Sequence, residues 1–133
     1  HQYNRLDKIH EAIMVYHEGR PAGGGAIRAY DETTMELKTE KNETALTIGL
    51  SGELNAITAP EVETQLTELL PGIQDLTLDF TNCDYVSSSG IRVLLSTQKK
   101  MKAAHGAMHL TNVGEYVMDI FVNTMLDSVF DIR

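Results

Sequence analysis

From residue 34 onward, segments in which every second residue is apolar alternate with longer segments in which apolar residues recur every three or four positions. The first spacing is typical of a strand with one buried face, and the second of a helix with one buried face. The order along the chain is strand, strand, helix, strand, helix, strand, helix, strand. Strands that alternate with helices join through right-handed crossovers into a sheet with parallel pairs. We therefore predict an α/β fold, in which helices pack on a four- to five-stranded mixed sheet.

The boundaries of these elements follow from local signals. The predicted strands cover residues 35–39, 44–50, 76–80, 108–112 and 129–132. The first helix follows Thr58, which has the capping-box spacing to Glu61, and it ends near Pro71. The second helix begins around Ser88, and Gly106 is predicted at the C′ position after it. The third helix carries four apolar residues on its inward face: Val117, Ile120, Phe121 and Met125.

Residues 1–33 differ from the rest of the chain. Four apolar residues there have the spacing of one helix face: Leu6, Ile9, Ile13 and Tyr16. The run that follows, residues 20–25, contains Pro and three Gly and breaks any regular element. We predict a helix over residues 1–19, a linker over residues 20–33 and a separate domain over residues 34–133. The helix is either the tail of an upstream domain or an arm that packs on this domain or on a second copy of the chain.

The charge balance and the composition argue against several classes of partner. Lys and Arg total 11 and Asp and Glu total 19, a formal net charge of −8, so nucleic-acid binding is not expected. The one dense basic stretch, residues 99–102, suits a solvated helix face. No apolar run approaches the roughly 20 residues that span a bilayer, and membrane insertion is not expected. Cys83 is the single cysteine, which excludes an internal disulfide and fits a cytoplasmic protein.

Catalytic and metal sites leave no recognisable pattern. The candidate metal ligands are four histidines: His10, His17, His105 and His109. They lack the spacing of zinc ligands. Residues 23–25 lack the preceding strand and the following Lys-Ser or Lys-Thr of a phosphate loop, and Ser88 lacks the nucleophile-elbow pattern of a triad serine. We therefore expect no enzyme activity, no cofactor and no metal.

A run of three serines, Ser87-Ser88-Ser89, lies between the third predicted strand and the second predicted helix. Serine is a preferred N-cap residue, so the run has a purely structural interpretation. The start of a helix also presents unpaired backbone N–H groups and the positive end of the helix dipole, which tolerate a phosphate well. In parallel sheets, moreover, sites lie at the carboxyl ends of the strands. The run is therefore predicted as a helix cap or as a switch operated by phosphorylation.

Two segments around these elements resemble the motifs of a known family. Residues 50–59, Leu-Ser-Gly-Glu-Leu-Asn-Ala-Ile-Thr-Ala, resemble the LxGxLDxxTA segment of STAS domains, the family of the anti-sigma factor antagonists and their relatives. Residues 87–95, Ser-Ser-Ser-Gly-Ile-Arg-Val-Leu-Leu, resemble the D-S-[ST]-G-[LI]-x-x-L signature of that family. Residues 110–132 look like its closing strand, its last helix and its L-x-x-x-F-x-I end. The resemblance spans about residues 34–133 and implies a STAS fold.

The resemblance also implies roles for individual residues. The phosphorylated serine of the family lies two residues before the glycine, which makes Ser88 the implied site and Ser89 the second choice. Ser87 and Asn55 each stand where the family usually has aspartate. The implied partner-binding residues are Asn55, Ser87, Ser88, Ser89, Gly90, Ile91 and Arg92.

Antagonists of this family bind, when unmodified, an anti-sigma factor that is also an ATP-dependent serine kinase, and so free the sigma factor. Phosphorylation separates the pair, and a serine phosphatase restores the antagonist. The resemblance therefore implies an anti-sigma factor antagonist with these two protein partners. The alternative is a STAS interaction module of another regulatory or transport assembly, without phosphorylation. A third hypothesis, an enzyme or nucleotide hydrolase, finds no base, metal cluster or phosphate loop in the sequence.

Overall fold

A computed structural model describes residues 32–133, and these form one five-stranded sheet with helices. The strands are β1 Met35–Asn42, β2 Ala45–Gly52, β3 Asp75–Asn82, β4 Ala107–Thr111 and β5 Asp131–Ile132. The helices are α1 Ala59–Leu69, α2 Ser88–Ala103 and α3 Glu115–Asn123. The strands lie side by side in chain order, with β1 antiparallel to β2 and each later pair parallel. The predicted mixed α/β fold is confirmed, whereas the predicted helix over residues 1–19 and most of the predicted linker lie outside the described residues.

One face of the sheet carries the hydrophobic core. The parallel register of β2 and β3 places Leu46 beside Leu76 and Ile48 beside Leu78, and all four side chains are buried. Several helix residues close this face, each at most 2% exposed: Val62, Leu66, Ile91, Leu94, Val117, Ile120 and Phe121. Because burial of one such side chain is worth about 1.5–3 kcal/mol, this layer is what fixes the helices on the sheet.

The loops that follow β2 and β3 are tied together at one edge of the sheet. Parallel strands end on the same side, and beyond both ends Leu54 and Val86 form an isolated parallel bridge. The N–H of Leu54 donates to the carbonyl of Tyr85 at 3.0 Å, and the N–H of Ser87 donates to the carbonyl of Leu54 at 2.8 Å. The residue that precedes α2 is therefore fixed against the loop that precedes α1.

The capping box predicted at Thr58 is wrong. Thr58 already has helical dihedral angles, φ −85° and ψ −25°, and its side chain makes no capping hydrogen bond. Asn55 caps the turn that leads into α1, since its Oδ1 accepts from the N–H groups of Ile57 at 2.9 Å and Thr58 at 3.0 Å. The Thr58 hydroxyl instead donates to the carbonyl of Glu53 at 2.7 Å. Helix α1 starts at Ala59, as the pattern predicted, but the N–H groups of the turn before it are satisfied by Asn55 and not by Thr58.

The prediction of Gly106 as the C′ residue after α2 is wrong, since His105 occupies that position. His105 has a left-handed conformation with φ 58°. Its N–H donates to the carbonyl of Lys102 at 3.0 Å, and the N–H of Gly106 donates to that of Met101 at 2.7 Å, which is the Schellman pattern. Gly106 is required for space, since a Cβ atom there would lie 2.7 Å from the carbonyl oxygen of Gln74.

The inward position predicted for Met125 is also wrong. Helix α3 ends at Asn123, and Met125 follows with φ 62° and 40% of its surface exposed. Leu126 occupies the core in its place and is 1% exposed. The helical period fails at this point because one left-handed residue changes the direction of every side chain that follows.

Candidate functional site

Ser87 is a buried helix cap. Its backbone is extended, with φ −90° and ψ 179°, and its Oγ accepts from the N–H of Gly90 at 3.4 Å. The residue is 3% exposed, and its own N–H donates to the carbonyl of Leu54 in the neighbouring loop. The capping interpretation of the serine run is thus confirmed for this serine, which satisfies one of the unpaired N–H groups of α2.

Ser88 and Ser89 are the first two residues of α2, and both are partly exposed. Within residues 32–133 neither hydroxyl makes a hydrogen bond. The first turn of α2 contains no acidic residue, so the positive end of the helix dipole is not balanced from within the helix. A protein that approaches from solvent therefore meets two unpartnered hydroxyls at the positive end of a helix dipole.

The next three predicted site residues face in different directions. Gly90 is buried against Leu54, and Ile91 is 1% exposed and belongs to the core. Arg92 is exposed and lies one turn after Ser88 on the same side of the helix. Gly90 and Ile91 therefore position α2, whereas Ser88, Ser89 and Arg92 present side chains to solvent.

Asn55 joins this site from the loop after β2. It is 9% exposed, and besides capping α1 it donates from Nδ2 to the carbonyl of Glu32 at 2.8 Å and to Oε1 of Glu53 at 3.3 Å. Glu53 is itself 1% exposed. The amide acts as donor and acceptor at the same time, which an ionised aspartate cannot do.

The variant Asn55→Asp is expected to lower the free energy of unfolding by about 1–3 kcal/mol. The variant would lose both Nδ2 donations and would place a negative charge beside the buried carboxyl group of Glu53. Urea unfolding followed by circular dichroism at neutral pH measures the effect. Asn55→Ser is the control, since it keeps a capping oxygen without the charge and should cost less. An Asp variant as stable as the unchanged protein would contradict this account of Asn55.

A groove of about 390 Å³ runs beside the serines between α1 and α2. Its lining residues are Ala56, Ala59, Pro60, Glu63, Ser89, Arg92, Val93 and Ser96. Ile57, the neighbour of Ala56 in the chain, is 62% exposed. The sequence pattern missed Ala56 and Ile57 because they precede the predicted helix and belong to no apolar stripe. Their position next to Asn55 in the family-like segment was the available signal.

Cys83 precedes the serine run and is 2% exposed. Its Sγ donates to the carbonyl of Tyr85 at 3.5 Å, and burial raises the pKa of the thiol to about 12. The thiol therefore stays protonated at any physiological pH.

Because the thiolate is the reactive form, native Cys83 is expected to react with a thiol reagent near pH 8 at least about a hundredfold more slowly than in the unfolded chain. A chromogenic disulfide reagent, with and without guanidinium chloride, measures both rates on this single thiol. Immediate stoichiometric reaction of the native protein would contradict the burial of Cys83.

The remaining candidate chemistry lies away from the serines. His109 contacts two carboxylates, with Nε2 2.8 Å from Oδ1 of Asp75 and Nδ1 2.7 Å from Oδ2 of Asp131. The hydrogen bond from His109 lowers the pKa of Asp131. Asp75 begins β3, whereas the serine run follows the end of that strand, so these side chains form no triad with Ser88.

Across residues 32–133, no group of three or more His, Cys, Asp or Glu side chains is placed to hold a metal ion. In the same part of the chain, the helices are too short or too polar to span a bilayer.

Comparisons with known proteins agree with this architecture. The sequence model of the STAS domain matches residues 36–133. The anti-sigma-B factor antagonist of Bacillus subtilis is 26% identical over 98 residues, which are 74% of this chain and 90% of the relative. The structure of an anti-sigma factor antagonist from Mycobacterium paratuberculosis has a TM-score of 0.69 at 20% identity and covers 77% of this chain and 88% of its own. The Bacillus cell fate determinant SpoIIAA in its phosphorylated form has a TM-score of 0.58 at 17% identity, with 75% and 91% covered. Both structures have the fold described above.

Proposed function

The chain belongs to the STAS domain family, and we propose that it is an anti-sigma factor antagonist that binds an anti-sigma factor/serine kinase and is switched off by phosphorylation of Ser88. Ser89 is the second choice for the phosphorylated residue. A curated relative that matches most of its own length to this chain is named an anti-sigma-B factor antagonist, which supports the proposal. In this scheme the protein acts in the cytoplasm, and a serine phosphatase returns it to the binding form.

The observation that carries the proposal is the division of roles within the serine run. Ser87 is buried and caps α2, so the structural need for a serine is met by this residue. Ser88 and Ser89 are partly exposed, and their hydroxyls have no structural partner within residues 32–133. Phosphorylation of either hydroxyl would break no hydrogen bond of the described fold. This arrangement favours a phosphorylated antagonist over an interaction module whose serines serve only as caps.

The loss of the family's usual aspartate at Ser87 does not argue against phosphorylation. Serine and aspartate are equivalent as N-cap residues, since either side chain accepts from the first N–H groups of the helix. Ser87 is 3% exposed, so a kinase that docks on this surface makes little contact with its side chain. The substitution therefore preserves the cap and changes little of the surface around Ser88.

The physics of the switch is electrostatic. A phosphate adds roughly −1.5 to −2 charges, and the start of a helix stabilises an exposed anion by only about 0.3–1 kcal/mol. A like charge on the partner about 4 Å away costs about 4 kcal/mol at an effective dielectric constant near 20. The repulsion at the interface therefore outweighs the local stabilisation, and the switch needs no change of fold.

Incubation with ATP and the anti-sigma factor/serine kinase proposed as the partner, here called the cognate kinase, tests the proposal. We expect one phosphate on Ser88, located by mass spectrometry of peptides. Ser88→Ala should abolish it, whereas Ser128→Ala, which removes another exposed hydroxyl, should leave it unchanged. Failure of the cognate kinase to place phosphate on Ser88 or Ser89 would contradict the proposed switch.

A further inference from the structure

Arg92 is an unpaired cation at the edge of the serine run. It is exposed and makes no hydrogen bond or ion pair within residues 32–133. Two other cations of this part are engaged: Arg133 pairs with Asp131 at 3.2 Å, and Lys100 donates to the hydroxyl of Thr67 at 3.2 Å. The unmodified serine run therefore has a free positive charge one helical turn away, although the whole chain carries a net charge of −8.

A phosphate on either candidate serine would lie within reach of this guanidinium. Residues three and four apart on a helix have Cβ atoms about 5–6 Å from each other. Arg92 is four residues after Ser88 and three after Ser89, and it lines the same groove as Ser89. A guanidinium forms short, charge-assisted and often bidentate hydrogen bonds with phosphate oxygens.

We propose that Arg92 sets the sign of the charge that this switch presents to its partner. In the unmodified protein the free guanidinium pairs with a carboxylate of the partner. After phosphorylation it pairs with the phosphate, and the summed charge of Arg92 and the modified serine changes from +1 to between about −0.5 and −1. The carboxylate that was attracted is then repelled. This inference rests on the proposed function and adds the chemistry of the partner surface.

The shape and charge of the groove support a carboxylate as the partner group. The residues around Arg92 are small and uncharged, namely Ala56, Ala59, Ser89 and Ser96, so an acidic side chain can approach the guanidinium. Glu63 is the one acidic residue in the lining. It supplies a control, because its carboxylate would repel the partner carboxylate that Arg92 attracts.

The phosphate pairing is tested without any partner. Phosphoserine is incorporated at position 88 of the full chain during translation, and the phosphorus NMR shift is titrated against pH. The midpoint, near 6 for an unperturbed phosphoserine, is expected to lie roughly 0.3–0.7 pH lower than in the Arg92→Gln variant. Arg92→Lys, which keeps the charge without the planar fork, should fall between them. Equal midpoints in the unchanged protein and in Arg92→Gln would overturn the pairing.

The partner contact is tested by calorimetric titration of the unphosphorylated variants with the cognate kinase. Arg92→Gln should bind about tenfold or more weakly, with less dependence on salt. Arg92→Lys should retain most of the affinity, and Glu63→Gln should bind more tightly than the unchanged protein. Equal affinities for Arg92→Gln and the unchanged protein would overturn the inference even where phosphorylation still separates the pair. If the protein with phosphoserine at position 88 binds the cognate kinase as tightly as the unmodified protein, the proposed function is overturned. The phosphorus titration still decides whether Arg92 pairs with the phosphate.

Discussion

Replacing Ser88 by aspartate is expected to weaken binding of the cognate kinase by a hundredfold to about a thousandfold, the equivalent of one like-charge contact at close range. Ser88 is partly exposed at the first position of α2, so the new carboxylate stands on the surface where the partner is proposed to dock. It also neutralises the attraction of Arg92 for an acidic partner. Calorimetric titration of both proteins with the cognate kinase measures the loss.

The same substitution should leave the fold intact. An acidic residue in the first turn of a helix is stabilising by about 0.3–1 kcal/mol, so the melting temperature should stay the same or rise slightly. Ser128→Asp introduces the same charge at another exposed serine and should bind the cognate kinase normally. Equal affinity of the Ser88→Asp variant and the unchanged protein would refute an electrostatic switch at this residue.

The second large effect concerns Gly90, the residue after the two exposed serines. A Cβ atom there would lie 2.6 Å from the carbonyl oxygen of Leu54 and 3.0 Å from Cγ1 of Val86. These residues form the bridge that joins the loops after β2 and β3, so neither can move without breaking it. Gly90→Ala is therefore expected to lower the free energy of unfolding by about 3 kcal/mol. This change in stability is opposite in sign to that of Gly→Ala within an ordinary helix, which raises the free energy of unfolding by roughly 0.5–1 kcal/mol.

Urea unfolding of Gly90→Ala and of a matched control distinguishes the clash from the loss of a glycine as such. Gly49→Ala is the control, since the nearest atoms to its Cβ, both on Lys38, would lie at an ordinary contact distance of 3.8 Å. This variant should be as stable as the unchanged protein or slightly more stable. A Gly90→Ala protein that unfolds at the same urea concentration would show that the bridge is not rigid.

The order of strands and helices could be predicted because it depends on short-range periodicity. The alternation at Leu46, Ile48 and Leu50 fixes which face of β2 is buried, whatever lies against it. The errors fell where a single residue ends or starts an element. Asn55, not Thr58, supplies the capping oxygen for the turn before α1. The left-handed residue after α2 is His105, one residue before the predicted Gly106, and a left-handed Met125 ends the inward face of α3. Such choices depend on contacts that no local pattern records.

Of the site, local patterns located the serine run, and only the family resemblance grouped it with Asn55, without showing how the two segments meet. Their contact is made by two backbone hydrogen bonds between Leu54 and the residues just before α2. Main-chain pairing of this kind is nearly independent of side-chain identity, and it therefore leaves no signature in the sequence. The groove beside Arg92 was missed for the same reason, since it exists only where α1 and α2 approach each other.

The sequence by itself determined that three serines stand where a strand gives way to a helix, because apolar spacing and capping preference act within a few residues of each other. Only the tertiary structure decided which serine is which. The Ser87 N–H donates to the carbonyl of Leu54, and the Ser87 hydroxyl is buried as a helix cap. The hydroxyls of Ser88 and Ser89 lie at the surface beside the unpaired Arg92. The physical reason is that solvent exposure is a property of packing between distant segments, and identical neighbouring side chains acquire different roles only when that packing is complete.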